Sequence, residues 1–483
     1  MKKAIIISFY IFILIILLFY HTHGLTFHDN GYIVHSAQQL QQGKVIYRDF
    51  DFVYTPLSVF LTAIAFKLFG QNLFAERLFI FFLSLTTIFS IYKICLIFTR
   101  RKEISYTVVL IYLFWGPGHI NFFSPVMLSI DLGILGLFFL MRGLETKKFK
   151  YFFPAGILSG SVLLSKQNFG LAILLTVIFF FLVIKIPKKI KSVLFFILGY
   201  FTVIIAFLIY LVTTNSYGPF ISNMYFYIIK KIIIENTLKT PFIYEGALIY
   251  ILPKIGLYLF PALISAVAIF TAFKKYRNYL FLAVFVLFFY LFGIRPETDY
   301  IHLSPLLSLT GLSLIFLWKS EIKIVKQLSW LFCITLITVG LYTSLFKGYY
   351  RWERPLSENR YFIVEKTIQI WSDPNYKTIV PFLVKNINLY SKPEDYIFVN
   401  FNAPLIYFIA NRRDPTRFSY ISHYATSEIF QKEIINNLIN KKVKLIIADS
   451  SLKKNGTPID IYIRKNYRVL ESLGEYFILL KTH

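Results

Sequence analysis

A succession of apolar runs, each about as long as a bilayer is thick, limits what this chain can become more than any other feature. A helix that crosses a membrane needs about 17–25 mostly apolar residues. Such runs occupy residues 4–20, 78–98, 104–122, 126–141, 151–166, 168–184, 193–213, 250–273, 279–294, 303–318 and 328–346, about eleven in all, several of them short or nearly adjoining. Charged residues make up only 16% of the 483, where a soluble domain carries about a quarter. Phe and Tyr number 53 and 34, as suits a chain with much lipid-facing and interfacial surface. The expected fold is therefore a polytopic α-helical membrane protein with about 11 transmembrane helices. Lys2 and Lys3 precede the first run, which is longer than a signal-peptide core and ends in YHTHG without a small-residue cleavage site, so it reads as an uncleaved anchor.

The formal charge of +26 does not point to nucleic acid, because that reading needs basic residues gathered on one surface. Here they fall in short clusters between apolar runs: RRK at 100–102, MRGLETKKFK at 141–150, KIPKKIK at 185–191, FKKYR at 273–277 and KSEIKIVK at 319–326. These clusters occupy alternate connections, and cytoplasmic loops are the ones enriched in Lys and Arg. The alternation predicts a cytoplasmic N-terminus in a multi-pass cytoplasmic (inner) membrane protein. It puts the first outer loop, residues 21–77, outside, and with an odd number of spans everything after Phe346 outside too. Two stretches in outer loops, PLSVFLTAIAFKLFG (56–70) and MYFYIIKKIIIENTL (224–238), are apolar but too short to span comfortably and read as interfacial helices. Cys95 and Cys333 both lie inside apolar runs, with no CxxC pattern and no disulfide framework.

From Pro374 the texture changes. KTIVPFLVKNINLY has helical periodicity, DYIFVNF reads as a strand, SEIFQKEIINNLINKK as a helix, KLIIADS as a strand and YRVLESLGEYFILLK as a terminal strand pair. The expected division is a membrane domain at 1–346, a connector at 347–373 and a small extracytoplasmic α/β domain at 374–483.

The outer loop concentrates chemistry that the rest of the chain avoids. Asp29 follows the first span within a few residues, so it sits at the outer interface, either solvated or as a general base beside a membrane-bound substrate. Tyr47, Arg48, Asp49 and Asp51 follow in the same loop. Lys166, Arg295, His302 and Asp131 map to outer ends of other runs. Charges at such depths are costly and tend to mark substrate or ion sites. Each also has a plain structural reading. Lys166 reads as a snorkelling lysine, Arg48 as a partner for Asp49 or Asp51, His302 as a satisfied structural histidine, and Tyr54 as packing or interfacial anchoring rather than sugar stacking. His21, His23 and His28 are too loosely spaced for a zinc site, and no Walker-type GxxxxGK[ST] or soluble nucleotide-sugar cradle occurs.

The order HDNGYIVHSAQQLQQGKVIYRDF, YTPLSVFLTAIAFKLFG and ERLF at 76–79 resembles the opening of the polyprenyl-phosphate-dependent GT-C glycosyltransferases. The nearest branch is that of the lipid A aminoarabinose transferase and the protein O-mannosyltransferases. GILSGSVLLSKQNFG (156–170) and DYIHLSPLLSL (299–309) resemble later landmarks of that branch, and NRRDPTRF (411–418) lies in a terminal domain like those of many bacterial members. The resemblance spans roughly residues 1–350 and implies a GT-C-A type fold in a bacterial envelope. It also implies an acidic pair at the start of the outer loop. Asp29 matches the first acid, but Asn30 stands where the second belongs, which weakens any two-carboxylate or metal scheme. Asp131 resembles the family's second-loop acid and otherwise reads as a carboxylate favoured near a helix start.

The resemblance further implies an inverting transfer of a sugar from a polyprenyl-phosphate donor to an unknown lipid, glycan or protein acceptor. Phosphate is already a good leaving group, so the protein must deprotonate the acceptor, a task for Asp29, and stabilise the departing phosphate with cations such as Arg48 or Lys166, with Asp131 a second catalytic candidate. Arg295, His302 and Tyr54 complete the expected substrate contacts. No metal-binding residues are assigned; a divalent cation is compatible with the chemistry but not demanded by any pattern. The α/β domain is expected to cover the cavity or help select the acceptor, without catalytic residues. The rival reading is a transporter or flippase for lipid-linked sugars, or a non-catalytic scaffold. Transporters commonly show internal repeats and broken spans with polar groups near the midplane, whereas this chain gathers its acids in one outer loop.

Overall fold

The computed structural model describes residues 2–186, 188–226, 248–273, 275–293, 300–347, 353–421, 427–454 and 456–482. The chain divides into two compact units. The first takes in Met1–His21, Val53–Ser58 and Leu78–Ser357, the second Thr22–Phe52, Val59–Arg77 and Glu358–His483. The expected division differs from this in two respects: two stretches of the outer loop pack with the C-terminal domain, and the second unit begins at Glu358, inside the expected connector. The interfacial segment 224–238 lies mostly outside the described residues, and Arg295 lies wholly outside them.

In chain order the helices up to residue 346 are α1 Lys2–Thr22, α2 Asp29–Gln41, α3 Leu57–Phe69, α4 Leu73–Thr99, α5 Lys102–Trp115, α6 Pro125–Thr146, α7 Phe152–Ser165, α8 Gln167–Val183, α9 Lys189–Thr213, α10 Tyr217–Met224, α11 Leu248–Ala272, α12 Phe281–Gly293, α13 Tyr300–Leu307, α14 Thr310–Trp318 and α15 Lys323–Phe346. The described part of each apolar run is largely helical, although the run 104–122 leaves the helix after Trp115 and turns at 116–119. One run, 303–318, divides into α13 and α14. Pro305 lies inside α13, and the chain tightens after it into Ser308 N–H to Pro305 O (3.1 Å) and Leu309 N–H to Leu306 O (3.0 Å). Among the described residues, α4, α6, α9 and α15 are long and apolar enough to cross a membrane.

Lipid tails are as apolar as leucine, so helices of such a protein hold together by close packing and buried polar bonds. The first unit shows both. Gly156 of α7 and Gly199 of α9 let two backbones touch: an added Cβ would lie 2.1 Å from Phe196 O at the first and 2.1 Å from Phe153 O at the second. Tyr20 Oη lies 2.9 Å from Ser344 Oγ, joining α1 to α15, and the Trp115 indole N–H donates to Leu336 O at 2.8 Å, joining α5 to α15. Helix α6 is the interior element, with 83% of its apolar window buried against 22% for α9 and α15.

In the second unit, β1 Tyr361–Glu365 and β2 Ile368–Ser372 form a hairpin with Tyr361 opposite Ser372. Helix α16 Pro374–Tyr390 follows, capped by the Asp373 carboxylate, which accepts from Asn375 N–H at 2.7 Å. Next come β3 Ile397–Val399, α17 Leu405–Ala410, α18 Glu428–Asn440, β4 Leu445–Ala448, α19 Ser451–Lys454, α20 Pro458–Asn466, β5 Tyr467–Leu473 and β6 Tyr476–Lys481. The sheet order is β3-β4-β6-β5, with β3 and β4 parallel and the other pairs antiparallel. Every residue of β3 and β4 is buried, as for strands covered on both faces. Helices and strands expected from 374 onward are found where the sequence put them.

Candidate active site

Helix α2 begins at Asp29 and is the frame on which the outer-loop chemistry is mounted. A carboxylate in the first turn of a helix is favoured by the helix dipole. Asp29 is half-buried, and its Oδ1 accepts the Tyr420 hydroxyl at 2.9 Å. Tyr32, one turn on, stacks obliquely against both Phe52 (4.9 Å) and Tyr420 (5.3 Å), so aromatic rings hold the tyrosine that orients the acid. The helix lies hard against α17. A Cβ at Gly31 would fall 2.3 Å from Leu405 N, so only glycine permits this approach.

Asn30 faces a different environment. Its amide donates to Glu76 Oε1 (3.0 Å) and Oε2 (3.1 Å), and its carbonyl oxygen accepts from Arg77 at 2.9 Å. Arg77 also donates to Gly24 O at 3.3 Å and lies 3.7 Å from the Glu76 carboxylate. All three side chains are buried. The neutral residue in the acidic pair's second place is thus explained: an amide bridges a buried carboxylate and a buried guanidinium, as a second carboxylate could not. With both ends of Asn30 engaged, a divalent ion held by residues 29 and 30 does not fit this donor set. Among the described residues no three His, Cys, Asp or Glu side chains converge for a metal.

Farther along the loop, Arg48 makes a two-pronged pair with Asp49, Nε to Oδ1 and Nη2 to Oδ2 both at 2.9 Å. That pairing, aided by the Val45 N–H, holds the Asp49 carboxyl below its usual range despite partial burial. Tyr47 takes a positive φ of 69° to make the turn. Asp51 is buried and receives Arg417 Nη1 at 3.1 Å, while Arg417 also grips Glu433 at 2.8 Å. Burial pushes the Asp51 carboxyl up to about 7, with Arg417 pulling it down and Glu433 pushing it up.

The remaining expected residues lie in the first unit. Lys166 stands alone in extended conformation between α7 and α8, almost wholly buried, its ammonium 5.6 Å from the Tyr54 ring centroid and 5.7 Å from that of Phe169. The structure thus brings Lys166 and Tyr54 together. The loop carrying Tyr54 is fixed beside them by Thr55, whose hydroxyl donates to Leu163 O at 2.8 Å. Asp131 is buried in the interior helix α6, where its carboxylate accepts the hydroxyl of equally buried Tyr112. His302 is half-buried on α13. The three early histidines go separate ways. His21 Nδ1 lies 3.3 Å from Asn121 O, His23 stacks on Trp371 at 5.8 Å, and His28 Nδ1 meets Asn402 O.

Sequence reasoning assigned no roles to Tyr420, Glu76, Arg77 or Arg417. ERLF and NRRDPTRF were visible as motifs, but their partners, 46 and 366 residues away, were not. The C-terminal domain, expected to cover the cavity or help select the acceptor without catalytic residues, supplies Tyr420, whose hydroxyl donates to the candidate base.

Residues 54–213 match the family model described as dolichyl-phosphate-mannose-protein mannosyltransferase. The match takes in Tyr54, Glu76, Arg77, Asp131 and Lys166 and begins after Asp29 and Arg48. No curated protein matches the chain by sequence. Among solved structures, ArnT from Cupriavidus metallidurans bound to undecaprenyl phosphate is similar at 12% identity and TM-score 0.62, over 99% of this chain and 98% of that one. The oligosaccharyltransferase AglB from Archaeoglobus fulgidus, in complex with an inhibitory peptide and a dolichol-phosphate, is similar at 12% identity and TM-score 0.51, over 99% and 74%. The same archaeal enzyme tethered to an acceptor peptide gives 11% identity and TM-score 0.53, over 100% and 74%. The resemblance read from the sequence is matched at both levels: residues 54–213 carry the pattern of the mannosyltransferase family model, and the chain along its length has a fold similar to that of ArnT.

Proposed function

We propose that this protein is an inverting glycosyltransferase that moves a sugar from a polyprenyl-phosphate donor to an acceptor at the outer face of the cytoplasmic membrane. Asp29 is the general base. It takes the proton from the acceptor hydroxyl as that oxygen bonds to the anomeric carbon. The bond from that carbon to the phosphate oxygen breaks, and polyprenyl phosphate leaves with the electron pair. One base and direct displacement invert the anomeric centre. Tyr420 orients the carboxylate through one of its oxygens. Lys166, between the rings of Tyr54 and Phe169, is the cation assigned to the phosphate; a charge held in such a poorly solvated place acts more strongly than one in water. Arg48, already paired with Asp49, takes a secondary role at the same substrate. His302 and Arg295 are assigned to the donor, and Asp131 to holding α5 and α6 together. The N-terminus is cytoplasmic and the second unit extracytoplasmic, a placement supported by the alternation of basic loops.

The observation that carries the reading is a half-buried, tyrosine-oriented carboxylate at the first turn of an outer-loop helix, in a chain with this fold. The test is transfer from a radiolabelled polyprenyl-phosphate sugar in proteoliposomes. Asp29→Asn is expected to abolish it, and undiminished turnover would remove Asp29 as the base. Movement of the lipid across the vesicle without transfer would establish a flippase instead.

A further inference from the structure

We propose that the second unit carries a receptor site for an anionic glycan, in the polar cavity at the C-terminal end of α2. The proposal names the acceptor class for the transfer proposed above and rests on that reading for its purpose, but its geometry is independent. The cavity has a volume of about 600 Å³, well within the range of small-molecule sites, and is lined by Pro393 and by a polar set of Gln42, Lys44, Gln71, Tyr396, Asn411 and Arg413. Three amides, two cations and a phenol make up that set. Amides offer both donors and acceptors and suit hydroxyl-rich partners, while two cations without a lining carboxylate call for an anion.

The lining is built into the fold. Helix α2 ends with Gln42 N–H on Gln38 O at 3.0 Å, Gly43 reverses the chain at φ +83°, and Lys44 N–H returns to Gln39 O at 3.1 Å. The Lys44 ammonium donates to the Gln39 side chain at 2.8 Å. Asn411 closes α17 in the left-handed conformation and accepts from Gln38 at 3.0 Å, and a backbone bridge pairs Tyr396 with Arg413. A third cation, Lys441, lies 4.9 Å from the Tyr396 ring and donates to Pro415 O.

The nearby acids are engaged elsewhere. Asp49 holds Arg48, buried Asp414 accepts from the Thr416 N–H and hydroxyl, and Asp395 accepts from Lys392 N–H. Burial, then Lys441 and Arg413, hold the Lys44 ammonium below its usual range against the opposing pull of Asp414 and Asp49.

Asp29 and Gln41 bound the 13 residues of α2, so the cavity lies roughly 20 Å along the helix from the candidate base. A ligand that reaches both ends is a chain of sugars whose charged unit is remote from the reacting hydroxyl.

The experiment is titration of the full-length protein in nanodiscs, without donor, by tetragalacturonate, phosphorylated maltotetraose, neutral maltotetraose and tetraglutamate. Binding of either anionic oligosaccharide, weakened about tenfold per cation removed in Lys44→Gln and Arg413→Gln, is the expected result. The two anionic arms distinguish a carboxylate from a phosphate. Arg413→Glu, at an exposed position, supplies a variant whose folding is not in question and should abolish binding. The proposal is overturned by no binding of either anionic arm, equal binding of neutral maltotetraose or of tetraglutamate, or affinity unchanged in the variants. Because no donor is present, failure of sugar transfer leaves this result readable, and failure of binding leaves the transfer assay readable.

Discussion

Two aspartates, Asp29 in the first turn of α2 and Asp131 beyond the first turn of α6, show how differently the two units use a carboxylate. Asp29 is half-buried with one oxygen on Tyr420, in a unit knit by side-chain hydrogen bonds across long stretches of sequence. Asp131 is sealed in the interior of a helical stack with Tyr112 on its carboxylate. In the first unit a polar group is a fastener between apolar helices. In the second, polar groups form the framework, and Asp29 keeps partial exposure. The two carboxylates therefore differ in burial, although each accepts a tyrosine hydroxyl.

The sharpest way to break this contrast is the pair Asp29→Asn and Asp131→Asn. The first is expected to lower kcat about 10²–10⁴-fold, as for loss of a general base, with thermal unfolding unchanged. The second should do the reverse, costing about 1–3 kcal/mol of stability through the weakened bond to Tyr112 while turnover per folded molecule stays near wild type. An exchange of these outcomes would exchange the roles.

Next in size is the buried cluster behind Asp29. Arg77→Leu removes the guanidinium beside the buried Glu76 carboxylate and should cost about 3–5 kcal/mol, seen as a lowered melting temperature. Asn30→Asp makes the acidic pair that the sequence resemblance implies, yet it places a carboxylate against Glu76 and should also destabilise. Greater activity with intact stability would show that the cluster tolerates the second acid. A smaller loss, about 1–3 kcal/mol, is expected of Gly31→Ala, because its Cβ would press on Leu405 and part α2 from α17.

A further contrast concerns pH dependence. The Asp51 carboxyl, at about 7 in the folded chain against 3.8 for the ordinary group, holds its proton more tightly when folded. Stability should therefore fall as pH rises from about 4 to about 7 and level off above, because the unfolded chain binds fewer protons over that window. Asp51→Asn should flatten that slope in melting curves taken across it.

Much of this was legible beforehand, for local reasons. Apolar runs of spanning length became helices because backbone groups in an apolar environment must bond within the segment. The strands at 397–399 and 445–448 were legible because fully covered strands are continuously apolar. The β1–β2 hairpin was missed: its turn is Lys366-Thr367 rather than the Asn-Gly or Asp-Gly that marks tight hairpins. The break between α13 and α14 follows Pro305, yet proline in an apolar run does not always end a helix.

The sequence by itself determined a many-helix membrane chain with a terminal α/β domain, and it singled out Asp29, because periodicity, run length and the position of charges are properties of neighbours along the chain. Only the tertiary structure decided that Asn30 belongs to Glu76 and Arg77, that Tyr420 turns Asp29 into an oriented acid, and that Asp131 is enclosed. Those facts depend on side chains dozens to hundreds of residues apart meeting at about 3 Å. Hydrogen-bond range is set by distance in space, which no spacing along the chain encodes.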